Sequence, residues 1–243
     1  MLTGIDHLVI AVADVDAAAA ELEAAVGLRA TGGGRHPGQG TLNRLVWFGD
    51  SYLELIGVED TTLAASSWIG RPTLAVLDRS SDGGLATWAI ATDDLGAFDA
   101  LDGPIDGERR RPDGRLVRWR IARAGELAPD RPPFLIQHDV TAAEWTPEER
   151  AERAIEPHPV GGPVRLTRVR IAVRDPNGAA RRTGDALGTH VEAATLRVGP
   201  HEVTYGPLGH EPEATIELVV VAGAGGRDLP REVVRFGCRF IVT

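Results

Sequence analysis

Residues 5–28 read IDHLVIAVADVDAAAAELEAAVGL: an apolar strand, an aspartate, an alanine-rich stretch and a glycine. The same order returns twice, as ATWAIATDDLGAFDALDG at 86–103 and as LTRVRIAVRDPNGAARRTGDALGT at 166–189. Repetition on this scale fixes architecture, because each copy is one supersecondary unit that cannot bury its own sheet face. In the first copy, 5–12 is the strand and Asp14 the N-cap, its carboxylate accepting from free amides of the first turn. Residues 17–25 form the helix, and Gly27 supplies the left-handed residue after it. Strands follow at 42–48 and 52–58, joined at Gly49-Asp50, with an additional short strand near 30–34.

The second copy repeats the plan. Asp93 or Asp94 caps a short helix ending before Gly103, a Pro112-Asp113-Gly114 turn opens a strand at 115–121, and the last strand is 133–138. In the third copy Asp175-Pro176 sets a cap before the residue best tolerated at the first helical position. Gly188 closes that helix, and strands follow at about 195–198, 202–205 and 215–221. Between copies two and three, Thr146 and Glu149 have capping-box spacing. A Pro/Gly stretch from about 157 to 163 is the best linker in the chain.

This pattern predicts an α+β fold of repeated βαβββ modules. Two modules pair side by side into an incomplete barrel with a cleft over residues 1–140, a short helix and linker occupy 141–163, and a third, diverged module fills 164–243. The third module has no internal partner. It must pack on the pair, on the helix layer, or on another chain as a homodimer.

Composition narrows the function classes. Of 243 residues 43% are hydrophobic, enough for a core, and 35 acidic against 26 basic residues give a net charge of −9. An acidic chain without a basic run argues against nucleic acid and anionic membrane as partners. The single cysteine, Cys238, cannot form an internal disulfide and reads as a buried structural thiol. No basic region precedes the first apolar run, which Asp6 and His7 interrupt, so no signal peptide is expected. No stretch is long and apolar enough to span a bilayer. A cytoplasmic protein is the default.

Period-two alternation separates the faces of each strand. Ile5, His7, Val9 and Ala11 share one face; Asp6, Leu8, Ile10 and Val12 share the other, more apolar one, which belongs under the helix. His7 then faces the cleft, as do Tyr52, Glu54 and Ile56. Registering the copies on their capping aspartates matches His7 with Thr87 and Arg168, and Glu54 with Glu217. Phe134 and Ile136 look helix-facing, which sets Gln137 opposite Glu54; a one-residue slip gives His138 instead. An imidazole, a carboxylate and a carboxamide or second imidazole can hold a divalent metal with positions left open for substrate. The plain alternative is a hydrogen-bonded His7–Glu54 pair.

IDHLVIAV with its aspartate-capped helix, followed by YLELIGV, resembles the vicinal oxygen chelate superfamily, which includes glyoxalase I, extradiol dioxygenases and bleomycin-resistance proteins. The resemblance is to its glyoxalase-like branch, through GGRHPGQGTLNRLVWFGDSYLELIGV at 33–58, TWAIATDDL at 87–95 and PPFLIQHD at 132–139. It implies paired βαβββ modules and metal ligands from their first and last strands. Carried over, those positions are His7, Glu54, Thr87 and Gln137, with His138 as the alternative. Thr87 departs from the pattern as a poor ligand, which leaves His7, Glu54 and Gln137 for a divalent ion such as Mn, Fe, Ni or Zn, or no metal at all. The resemblance implies either a metal-dependent enzyme of lyase, isomerase or dioxygenase type acting on a small oxygenated metabolite, or a metal-free binding protein of the resistance type. Fold does not choose between them.

Other residues complete the expected site. The Gly-rich stretch 32–43 lacks the signature of a phosphate loop, but its glycines allow close approach to a ligand. His36 is the candidate for proton transfer beside Glu54, and His36, Asn43, Thr87, Trp47 and Arg118 are the candidate substrate contacts. Arg118 and Arg120 alternate with Val117 and Trp119, either lining the cleft for an anionic substrate or facing solvent. Trp88 reads as core. Arg168 and Arg170 share a face with Glu217, and an Arg168–Glu217 ion pair is the plain expectation there.

Overall fold

Each copy begins as its residue types dictate. In the computed structural model, which describes residues 1–98, 101–111, 113–209, 212–221 and 231–243, β1 (Leu2–Ala11) runs into α1 (Val15–Val26). The Asp14 carboxylate accepts from the amides of Asp16 and Ala17 at 2.9 and 3.0 Å, and Gly27 ends the helix at φ 71°. The strands β2 (Gly32–His36), β3 (Thr41–Phe48) and β4 (Ser51–Val58) complete the module. Two helices absent from the repeat pattern follow, α2 (Thr61–Ser66) and α3 (Gly70–Arg79).

The second module holds β5 (Gly84–Thr92), β6 (Asp102–Arg110), β7 (Leu116–Arg123) and β8 (Phe134–His138). Its helix shrinks to a 3-10 turn, Leu95–Ala97, with Asp94 accepting from the Gly96 amide; Asp99, Ala100 and Pro112 lie outside the described residues. β6 has no β-branched alternation, and its residues are mostly exposed. It is a strand because it pairs with β7 along its length, setting Asp106 against Arg120 and Glu108 against Arg118.

α4 (Pro147–Ile155) follows, with Thr146 accepting from the Glu149 amide as its spacing requires. The third module comprises β9 (Val164–Val173), α5 (Pro176–Leu187), β10 (Val191–Glu192), β11 (Thr195–Val198), β12 (His201–Pro207), β13 (Ala214–Val220), β14 (Glu232–Arg235) and β15 (Cys238–Val242). Asp175 caps α5 and Gly188 ends it at φ 62°.

Two sheets result. The paired modules form an eight-stranded closed barrel in the order β1-β4-β3-β2-β6-β7-β8-β5; the third gives a seven-stranded sheet in the order β10-β11-β12-β9-β13-β15-β14. The sequence predicts an incomplete barrel. The closing contact is slight, a single residue pair between β2 and β6, Arg35 opposite Arg110. Arg109 fastens it: its buried guanidinium donates to the Gly33 carbonyl at 2.6 Å and to Glu144 Oε2 at 2.6 Å.

The outer face of the barrel covers the third module. Leu8, Ile10, Leu53, Leu55 and Trp88 share one apolar core with Val169, Ile171, Val203, Ile216 and Phe240. The third module thus finds its partner within the chain. Cys238 lies in this core, where burial pushes its thiol up. Arg168 and Glu217 are paired at 3.1 Å on the opposite face. Among the described residues no helix is long and apolar enough to cross a membrane.

One irregularity decides the site. β1 and β5 slip register between Ile5 and His7, so that Ile5 faces Ile90 and His7 faces Ala89. Two residues of β1 thus stand against one of β5, a β-bulge. Strict alternation would place Asp6 under the helix with Leu8. The bulge breaks that beat. Ile5 packs in the outer core, while Asp6 turns inward beside His7 and hydrogen-bonds to it.

Candidate functional site

The barrel interior holds a cavity of about 210 Å³. Its apolar walls include Trp68, Ile69, Trp119, Phe134 and Trp145, and its polar end is formed by His7, His36, Asn43, Glu54 and His138.

The polar end is one connected chain of groups. Asp6 is fully buried between two imidazoles, with His7 Nδ1 at 2.6 Å from Oδ1 and His138 Nε2 at 2.8 Å from Oδ2. Burial alone would raise the Asp6 carboxyl; His138 and then His7 outweigh it and hold it well below the usual carboxylate range. An ionised carboxylate only accepts, so His7 donates to it from Nδ1, and in its neutral form carries the ring's lone pair on Nε2. That nitrogen lies 3.5 Å from Glu54 Oε2. The His7 ring is clamped by stacking on Tyr52 at 4.5 Å and by the edge of Phe134 at 5.4 Å.

Glu54 is held from the other side. Asn43 donates from Nδ2 to Glu54 Oε1 at 2.7 Å, while its Oδ1 accepts from the Gly34 amide at 2.8 Å. The same Nδ2 stands 3.2 Å from His36 Nε2, and His36 Nδ1 lies 2.9 Å from Thr41 Oγ1. Burial depresses the His36 pKa, with Glu54 opposing. A neutral His36 that accepts from Asn43 at Nε2 donates from Nδ1 to Thr41. With His7 neutral, the polar end presents two facing acceptors, His7 Nε2 and Glu54 Oε2; His138 Nδ1 is a further buried atom without a partner among the described residues.

The family model of the glyoxalase-like domain matches residues 5–187. The chain belongs to that family. A hypothetical protein from Staphylococcus aureus shares the fold over the whole length of this glyoxalase-like chain, with 16% identity, 99% of both chains covered and a TM-score of 0.73. Methylmalonyl-CoA epimerase of Streptomyces coelicolor, a single-site variant solved with 2-nitronate-propionyl-CoA, is 24% identical over 56% of this chain and 98% of its own, with a TM-score of 0.40. The corresponding epimerase of Mycobacterium tuberculosis is 22% identical over 56% and 87%, also at 0.40. No curated protein matches.

Of the residues singled out in the sequence, the structure brings together His7, His36, Asn43, Glu54 and the alternative His138, and it separates Gln137, Thr87, Trp47 and Arg118 from them. Gln137 points to the outside, accepting from Arg120 Nη2 at 2.8 Å and donating to the Asp93 carbonyl at 2.7 Å. The reason is register: Phe134 and Ile136 face Ala89 and Ala91 and line the cavity, so alternation sends Gln137 out and His138 in. Thr87 is fully buried opposite Val9, its hydroxyl has no hydrogen-bond partner among the described residues, and it is not part of the cavity wall. Trp47 packs beneath Tyr52 at 4.7 Å with the Arg153 guanidinium 4.1 Å from its ring, outside the cavity. Arg118 is exposed opposite Glu108.

Asp6, Arg109, Glu144, Trp119 and Phe134 are site residues that sequence reasoning did not nominate. Asp6 needed the bulge, and the Arg109–Glu144 pair joins positions 35 residues apart. Trp119 carried a legible signal, alternating with the exposed Arg118 and Arg120.

A resident divalent metal does not fit this donor set. His7 in module one corresponds to Thr87 in module two, each seven residues before its capping aspartate. Glu54 stands on β4 opposite Val9, two residues beyond His7; the residue opposite Ala89, two beyond Thr87, is Phe134. Module two thus offers a hydroxyl and a benzene ring where module one offers an imidazole and a carboxylate. His138 spends its Nε2 on Asp6 and leaves Nδ1 without a hydrogen-bond partner among the described residues. Among the described residues no group of three or more His, Cys, Asp or Glu is arranged to hold an ion, whereas catalytic metal sites use about three protein ligands.

Proposed function

We propose that the cavity binds a small organic molecule and takes a proton from it. The observation that supports this reading is the facing pair of His7 Nε2 and Glu54 Oε2, at 3.5 Å inside the barrel cavity. Two lone pairs at that distance repel unless something positive, a proton or a hydrogen-bond donor, lies between them. A ligand X–H group directed there meets a carboxylate base oriented by Asn43 and an imidazole oriented by Asp6. Proton transfer by a positioned base of this kind contributes about 10²–10⁴ in rate. An ionised Asp6 behind His7 stabilises the imidazolium that forms when His7 takes the proton, the logic of a carboxylate behind a catalytic histidine. The reaction class that follows is isomerisation or elimination through proton abstraction, the isomerase and lyase types, with no step requiring a metal.

The test is deuterium incorporation from D₂O into hydroxyacetone, pyruvate and aminoacetone, followed by NMR with protein dialysed against EDTA. Exchange above buffer in at least one compound, reduced about 10²-fold or more by Glu54→Gln, is the expected result. No exchange in any of the three, or exchange that appears only after Mn, Fe, Ni or Zn is added, overturns it. A second reading, a metal-free binding protein of the resistance type, is supported by the Thr87 and Phe134 positions in module two; it expects ligand binding with no exchange.

A further inference from the structure

The cavity discriminates by charge. Five carboxylates stand in or behind its wall, those of Asp6, Glu54, Asp106, Glu108 and Glu144, against one guanidinium, that of Arg109. Arg109 is 3% exposed and both its contacts are taken, by Glu144 Oε2 and by the Gly33 carbonyl. An imidazole that gains a proton at His7 or His138 stays tied to Asp6. The Asn43 amide hydrogens are directed to Glu54 and His36. Among the described residues, the polar end therefore has no uncommitted guanidinium or ammonium to meet an anion. It has two acceptors in search of a donor, on side chains only 4% and 7% exposed. The rings of Trp68, Trp119 and Phe134 supply apolar faces on which a cation is favoured.

Building on the proton-taking reading, we propose that the ligand is a small cationic amine, its ammonium donating to Glu54 Oε2, its body lying against the aromatic wall and His7 Nε2 left to take the proton. The two outer-face arginines do not oppose this selection, since Arg118 and Arg120 stand across β6 from Glu108 and Asp106.

Isothermal titration of the full chain at neutral pH with benzylamine, benzyl alcohol and benzoate tests it, because the three share a ring and differ in charge. Benzylamine binds about tenfold or more tightly than benzyl alcohol, and benzoate does not bind. Glu54→Gln brings amine and alcohol to within about threefold of each other, while Arg118→Gln leaves the order unchanged. Should Glu54→Gln fail to fold, the wild-type series decides alone. Benzoate binding as tightly as the amine, equal binding of amine and alcohol, or no binding of any of the three overturns the proposal. Deuterium exchange into pyruvate or hydroxyacetone without amine binding removes the ligand class and leaves proton transfer standing. Amine binding without exchange into any carbonyl compound does the reverse.

Discussion

Replacing Arg109 with methionine tests whether the barrel closes through one buried ion pair. The strand contact at this seam is a single residue pair, so Arg109 carries much of the joint. Its side chain is 3% exposed and that of Glu144 is 7% exposed. Removing one partner of a buried pair costs about 3–5 kcal/mol, because the other charge stays buried without compensation. Arg111 Nε remains 4.0 Å from Glu144 Oε1 and offsets part of that, which sets the expectation for Arg109→Met near the low end, about 3 kcal/mol. In a chain of this size the loss lowers Tm by about 6–12 °C. Urea titration and thermal scans give the number. The exposed Arg150–Asp50 pair, with side chains 44% and 56% exposed, is the internal control and is worth less than about 1 kcal/mol. The double variant Arg109→Met/Glu144→Leu recovers most of the stability, since no orphaned charge is left. If Arg109→Met costs no more than Asp50→Asn, the seam is held by something else and the reasoning fails.

Three further outcomes follow from the geometry. His201 at the start of β12 accepts the Ile5 amide on Nδ1 at 2.9 Å, and burial pushes its pKa down to about 4. Because this value lies below that of a free imidazole, the contribution is complete above about pH 6.5 and is lost as pH falls toward 4, by roughly 3 kcal/mol; urea midpoints of His201→Gln should fall less steeply over that window than those of the native chain, and parallel slopes refute the assignment. Thr87→Val removes a buried hydroxyl that has no partner among the described residues and should be neutral or stabilising by up to about 1 kcal/mol; a loss of stability in thermal scans contradicts it. Gly107→Ala places a Cβ 2.3 Å from Trp119 Nε1 and 2.6 Å from Cε2, so the ring must leave its position at a cost of about 1–3 kcal/mol, read from unfolding curves and a shift in tryptophan emission; an unchanged spectrum and midpoint contradict it.

Much of the fold was legible because its signals are local. A strand followed by Asp14, Asp94 or Asp175, and a helix ended by Gly27 or Gly188, need only nearest-neighbour chemistry. His7 and Glu54 were found by alternation alone. What escaped depends on contacts distant in sequence. β6 exists through its pairing with β7, not through its own residues, and the Arg109–Glu144 bond needs a closed barrel before it can form. Gln137 and His138 differ by one position, and only the register of β8 on β5 shows which faces inward. Asp6 was assigned to the wrong face because alternation assumes an unbroken pleat.

The extra residue at that pleat also governs how this chain can be compared with its kin. A relative whose opening strand runs straight would carry its histidine one step out of phase, and matching the two column by column would equate a lining side chain with a packing one. Deleting Asp6, the one residue between Ile5 and His7, should therefore do more harm than any substitution there, because it removes the carboxylate and shifts everything before it by one step of the pleat.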